Sequence, residues 1–166
     1  CSGGTGVVVG LGNSTIGVNY QLYNAGLPVG AIVPGSGTAI SFGLQTLSGI
    51  YTVQASNPTT TCTNTMTGSV TITINPLPVV YNVTGGGNYC TGGSGVHVTL
   101  DGSNTNINYQ LYHGATAVGT AHAGTGTILD FGLQTAAGTY TIMATDAASL
   151  CTNSMHDTAS VTIDPI

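Results

Sequence analysis

Thirteen side chains in this 166-residue chain have the chemistry to hold a metal, move a proton or form a covalent bond: four His, five Asp and four Cys. His97, His113, His122 and His156, with Asp101, Asp130, Asp146, Asp157 and Asp164, all lie after residue 90. Imidazoles and carboxylates that converge can ligate zinc or act as general bases. These do not converge along the sequence. His97 falls on the outward phase of an alternating segment, His113 and His122 sit near turns, and the Asp residues are spread over different strands and turns. Calcium needs six to eight oxygens gathered in one place. Solvent-facing positions are therefore the expectation, with no metal or other cofactor. Ser and Thr are abundant, but no Gly-x-Ser-x-Gly elbow occurs, and no catalysis is expected.

Lys, Arg and Trp are absent, the formal charge is −5 and charged residues make up 3% of the chain. Without a fixed cation there is no phosphate cradle, no basic nucleic-acid patch, no Schiff-base lysine and no Lys–Asn crosslink. Gly85-Gly-Gly87 and Gly92-Gly-Ser-Gly95 accordingly read as strand connections rather than anion sites. The apolar runs are too short for membrane helices, and residues 1 to 20 have no basic n-region or unbroken apolar core. Nucleic-acid binding and membrane insertion are not expected. Hydrophobic residues at 41% nevertheless supply a core.

The elements that position these side chains emerge from self-comparison. A shift of 89 residues aligns residues 1–77 with 90–166 without a gap, and about 34 of the 77 pairs are identical. Asn19-Tyr-Gln-Leu-Tyr23 falls on Asn108-Tyr-Gln-Leu-Tyr112, and Phe42-Gly-Leu-Gln-Thr46 on Phe131-Gly-Leu-Gln-Thr135. Gly49, Tyr51 and Met66 fall on Gly138, Tyr140 and Met155. The chain divides into repeat 1, residues 1–77, and repeat 2, residues 78–166. Residues 78–89 have no counterpart ahead of Cys1, so repeat 1 lacks an opening strand. An excerpt from a longer tandem array is the expectation.

Val96, Val98 and Leu100 alternate with His97 and Thr99; Ile107, Tyr109 and Leu111 alternate with Asn108 and Gln110. Tyr140, Ile142 and Ala144 do the same, Ile128 to Phe131 form a weaker strand, and Val161 and Ile163 close the repeat. Period two with Gly, Asn and Pro punctuation marks half-buried strands. About seven short strands per copy predict an all-β fold of two tandem immunoglobulin-like sandwiches. Gly49-Ile-Tyr51 and Gly138-Thr-Tyr140 open strands where a tyrosine corner belongs.

Cys1 matches Cys90, and Cys62 matches Cys151, 61 residues apart in each copy. One Cys precedes the second strand and the other lies between the last two, at opposite ends of one sandwich. Such a strand spans roughly 20 Å, whereas a disulfide needs Cα atoms within about 7 Å. Tandem stacking favours Cys1–Cys151 across the joint, with Cys62 and Cys90 reaching outward to neighbouring repeats. Cys1–Cys62 with Cys90–Cys151 is the alternative. Either pairing points to an oxidising, extracytoplasmic compartment.

A Cys-x-Gly-Gly entry, the Asn-Tyr-Gln-Leu-Tyr strand, Gly-x-Tyr-Thr, and the late Cys followed by Ile72-Thr-Ile-Asn-Pro76 or Val161-Thr-Ile-Asp-Pro165 carry a resemblance. The chain resembles the tandem immunoglobulin-like repeats of large Bacteroidota surface adhesins, the gliding-adhesin (SprB-type) repeats among them. The resemblance implies type IX secretion, extracellular cell-surface display and a stalk or filament role, with neighbouring repeats as partners. It also implies Thr158, in Asp157-Thr-Ala159, as a site for O-linked glycan. Two other readings stand beside it: a surface- or glycan-binding module using outward Tyr23 and Tyr112, and an accessory domain of an enzyme.

Overall fold

A computed structural model describes all of residues 1–166. The chain is all-β and divides into two compact units, Ser2–Ile74 and Asn75–Ile166, with Cys1 grouped with the second. The division falls three residues ahead of the 77/78 boundary read from the repeat.

The first unit holds seven strands: β1 (Val7–Leu11), β2 (Asn19–Asn24), β3 (Leu27–Pro34), β4 (Ile40–Gln45), β5 (Gly49–Ser56), β6 (Thr63–Thr65) and β7 (Val70–Ile72). β1 pairs with β4; β3, β2 and β5 form the second sheet, to which β6 and β7 add on β5. Alternation explains the strands. Tyr51, Val53 and Ala55 of β5 point inward with Tyr20 and Leu22 of β2, and Val9 of β1 meets them from the opposite sheet. Burying one face of each sheet is what makes such short strands stable.

The second unit repeats this plan with nine strands: β8 (Val83–Gly85), β9 (Gly87–Cys90), β10 (Val96–Leu100), β11 (Ile107–His113), β12 (Thr116–Ala123), β13 (Leu129–Gln134), β14 (Gly138–Asp146), β15 (Thr152–Ser154) and β16 (Ala159–Asp164). One sheet has the order β13-β10-β8, the other β12-β11-β14-β16-β9, with β15 on β14. Strands one, three and six of the unit (β8, β10 and β13) thus face a sheet drawn from the rest, in which β9 runs parallel to β16. This is the strand order of an immunoglobulin-like sandwich. The two strands beyond the seven of the first unit are β8 and β9, made by residues without a twin except for Cys90, which matches Cys1. The core runs from Val98, Leu100 and Leu129 on one side to Tyr109, Leu111 and Ile142 on the other.

Each unit closes with a tyrosine corner. Tyr140 is buried at the start of β14 and donates its hydroxyl to the Ala136 carbonyl at 2.9 Å; Tyr51 does so to Leu47 at 2.8 Å. Gly138 and Gly49 precede these corners with φ of 142° and 144°, and a Cβ there would collide with His113 and Asn24. Tyr140→Phe keeps the ring and strands the carbonyl, at a cost of about 1–3 kcal/mol. A lower denaturant midpoint at unchanged slope is the expected result, and an unchanged midpoint would show that the hydroxyl contributes nothing.

Candidate functional site

The repeated motifs are spent on backbone geometry. In Asn-Tyr-Gln-Leu-Tyr, the buried Tyr20 and Tyr109 hydroxyls accept hydrogen bonds from Thr15 N (2.9 Å) and Asn104 N (3.0 Å). Burial pushes the Tyr109 phenol above its ordinary value, ahead of the lowering effect of Asn104. The register of β2 on β3 slips between Tyr20 and Leu22, and that of β11 on β12 between Tyr109 and Leu111. Gln21 and Gln110 sit at these slips. Each donates its amide to two carbonyls beside the slip, Leu22 and Val29 in one unit, Leu111 and Val118 in the other. In Phe-Gly-Leu-Gln-Thr, Gln45 and Gln134 bond back to the Phe42 and Phe131 carbonyls at 2.8 and 2.9 Å. Tyr23 and Tyr112 are half-buried rather than fully outward, and the Tyr23 hydroxyl reaches Gln54 at 3.3 Å.

Three of the His and Asp residues of the second unit, Asp130, His113 and Asp146, do work that neutral residues do in the first. Asp130 accepts from Gly132 N at 2.8 Å as Ser41 accepts from Gly43 N at 3.1 Å. His113 donates Nε2–H to the Ala137 carbonyl at 3.0 Å, where Asn24 donates to Ser48 at 3.2 Å; the imidazole also stacks on Tyr140. Asp146 accepts from Ala148 N, Ser149 N and the Ser149 hydroxyl, an Asx turn that Asn57 builds with Thr59 and Thr60. His97 and Asp130 pair at 2.8 Å, as do His156 and Asp157 at 3.0 Å, all four exposed. His122 stacks near Phe131. Asp101 holds Asn82, and Asn88 bonds to Asp164. No three of the His, Cys and Asp side chains are gathered to hold a metal ion.

Two carboxyls are shifted. The His97 hydrogen bond, then the Gly132 amide, hold Asp130 below the ordinary value; the Ser149 amide and hydroxyl do the same for Asp146. A carboxyl lowered by folding adds stability above its unfolded value, and that stability is lost as the pH falls through the folded value. Acid therefore loosens the 146–151 turn from about pH 4 downward. Asp146→Asn supplies the side chain of the matching turn at Asn57. It is expected to abolish the acid-dependent shifts of the Ala148 and Ser149 amides in NMR spectra; persistence of those shifts would assign them to another group.

Cys1 and Cys151 form a disulfide with Cα atoms 5.6 Å apart, and Cys62 and Cys90 are free and exposed. Cys62 lies in the β5–β6 turn and Cys90 at the end of β9, beside Asp164. Thr158 is exposed between β15 and β16, next to the buried Ala159. A shallow cleft of about 430 Å³ nearby is lined by Tyr112, Met143, Met155, Asp157 and Thr158. A second groove of about 210 Å³ lies in the first unit between β1 and β7.

No family model and no curated protein matches the chain. Among solved structures, the human OSCAR ligand-binding domain aligns at 16% identity with a TM-score of 0.42, over 94% of this chain and 90% of its own. The immunoglobulin-like assignment is carried by the strand order and the tyrosine corners.

Proposed function

We propose that the chain is a structural, non-catalytic piece of an extracellular cell-surface adhesin or filament, of the kind the SprB-type repeats represent. The observation that carries this reading is how the repeated residues are used. The side chains common to both copies that stand out as motifs serve bulges, turns and corners, and Asp130, His113 and Asp146 of the second copy stand where Ser41, Asn24 and Asn57 cap in the first. A sequence kept twice for its architecture is what a repeating structural element needs. The Cys1–Cys151 bond supports an oxidising location. A chain without Lys or Arg offers trypsin-like proteases no cleavage site, which suits exposure outside the cell. Type IX secretion, a role in gliding, glycan on the exposed Thr158 and neighbouring repeats reached through Cys62 and Cys90 belong to the same proposal.

Its test is surface labelling of intact source cells with an antibody raised against the chain, paired with deletion of the gene. Label on unpermeabilised cells and lost attachment or movement are the expected results. Label only after permeabilisation would overturn the proposal. The cleft beside Tyr112 favours a second reading, a glycan-binding module: an aromatic ring flanked by Asp157 and Thr158 can stack on and hydrogen-bond a sugar. A glycan array on the 166-residue chain separates the two, since a stalk leaves it blank.

A further inference from the structure

Four of the five carboxylates are committed to bonds within the fold. Asp101 accepts from Asn82, Asp130 from the Gly132 amide, Asp146 from Ala148 and Ser149, and Asp164 from Asn88. Asp157 accepts no hydrogen bond. Its one partner is His156, whose Nδ1 lies 3.0 Å from a carboxylate oxygen, and both side chains are more than half exposed. A pair of this kind contributes little, and only while the imidazole is protonated. The backbone at Asp157 is uncommon as well. Its φ is 63°, in the left-handed region, and the matching residue one repeat earlier is Gly68, with φ of 91°. Glycine enters that region freely, whereas a residue with a Cβ does so at a cost. The second unit thus holds an uncommitted carboxylate on a strained backbone, where the first holds no side chain at all.

That carboxylate lies at the cleft of about 430 Å³, whose lining combines three chemistries. Tyr112, the half-buried Met143 and the buried Met155 are apolar; Ser154 and Thr158 are exposed hydroxyls; Asp157 is the single charge. A sugar ring has the matching character, an apolar C–H face inside a polar rim. Charge then narrows the class of sugar. Residues 1–166 contain no Lys or Arg and carry a formal charge of −5, so no fixed cation answers Asp157. A uronic or sialic acid meets repulsion there, and a neutral hexose brings no countercharge. An ammonium on the ring meets the carboxylate in a charge-assisted hydrogen bond. The matching residues of the first unit are Tyr23, Gln54, Met66, Thr65, Ser69 and Gly68. Ring and hydroxyls are kept there, and the charge is not.

We propose that the cleft beside Tyr112 binds a hexosamine with a free amine, its ammonium on Asp157 and its ring against Tyr112. The proposal rests on the glycan-binding reading of this cleft and adds the class of sugar. N-acetylation removes the positive charge, so the acetylated sugar loses the contact that selects the amine.

The test titrates glucosamine into the whole 166-residue chain under NMR observation, beside glucose, N-acetylglucosamine, glucuronic acid and cyclohexylamine. Saturable shifts are expected at the amides of Met143, Met155, Asp157 and Thr158, and none at Met66, Gly68 and Ser69. Glucose and N-acetylglucosamine are expected to bind about tenfold more weakly, the loss of one hydrogen bond to a charged group, and glucuronic acid not to bind. Asp157→Asn, which suits the left-handed backbone and an exposed position, should bring glucosamine down to the affinity of glucose; Asp157→Gly, the residue of the first unit, should do the same. Equal affinity for glucose and glucosamine, or an unchanged affinity in Asp157→Asn, would overturn selection of the amine and leave the glycan-binding reading standing. Cyclohexylamine binding as tightly as glucosamine would overturn recognition of a sugar. No saturable shift with any sugar would overturn the glycan-binding reading itself, and equal shifts at Met66 and Gly68 would overturn the role given to Asp157.

Discussion

Cys1→Ser is expected to lower the melting temperature of the Ser2–Ile74 unit by about 15 °C or more, and to lower that of the Asn75–Ile166 unit as well. Covalent connectivity explains both. Cys1 is bonded to Cys151, and Ile74 continues into Asn75, so the first unit is tied at both ends to the second. When the first unit unfolds alone, its chain remains a closed loop of about 74 residues, and the closure removes conformational freedom it would otherwise gain. The chain-entropy model puts this near 4 kcal/mol, and each kcal/mol moves the midpoint of a domain this size by about 4–8 °C. When the second unit unfolds alone, residues 75–151 likewise remain a closed loop, through Cys1 and the folded first unit. A two-transition melt, followed with and without a phosphine reductant, is the measurement. The reductant should shift both transitions of the native chain and have no effect on Cys1→Ser. No shift in the first transition would show that the bond does not close the first unit.

Much of the fold was legible because the second repeat alternates strictly. Val96, Val98 and Leu100, and likewise Tyr140, Ile142 and Ala144, point inward at every second position, and Gly138-Thr-Tyr140 marked the corner. Strands β3 and β12 were not legible. Both lie at a sheet edge, bury little beyond Val29 and Val118, and β3 carries Pro28 and Gly30 inside its span. Binary patterning has nothing to report where neither face is covered. The three-residue β6 and β15 are Thr-Asn-Thr and Thr-Asn-Ser, polar pieces that exist only because β5 and β14 present an edge.

The candidate site divides along the same line. That residues 78–89 lack a twin within these 166 residues is plain from the alignment, whereas which strands β8 and β9 join is not, and a parallel pairing with β16 has no signature in sequence. Gln21 and Gln110 were equally hidden, because the slip they relieve arises only once two strands are paired. The caps made by Asp130, His113 and Asp146 have neutral equivalents one repeat away, at Ser41, Asn24 and Asn57. Tyr23 and Tyr112, expected to face outward, are half-buried.

Leu22→Ala is expected to unfold the Ser2–Ile74 unit at 37 °C, whereas Leu111→Ala, the same change one repeat later, is expected to leave its unit folded with a lower melting temperature. Both leucines are fully buried at the centre of their sheets, at 0% and 1% exposure. Removing three carbons from such a site costs about 2–5 kcal/mol, from lost transfer energy and the cavity left behind. What differs is the reserve. Seven buried residues make the core of the first unit, and thirteen make that of the second, where Val83 and the tyrosines beside it complete the packing. A unit of about 73 residues has a stability of about 4–11 kcal/mol at the usual 0.05–0.15 kcal/mol per residue, and the smaller core puts Ser2–Ile74 at the low end of that range. Amide spectra at 37 °C separate the two outcomes directly: Leu22→Ala should lose the dispersed resonances of Tyr20, Tyr51 and Val53 and keep those of Tyr109 and Ile142. Equal tolerance of the two substitutions would mean that the smaller core costs the first unit no stability.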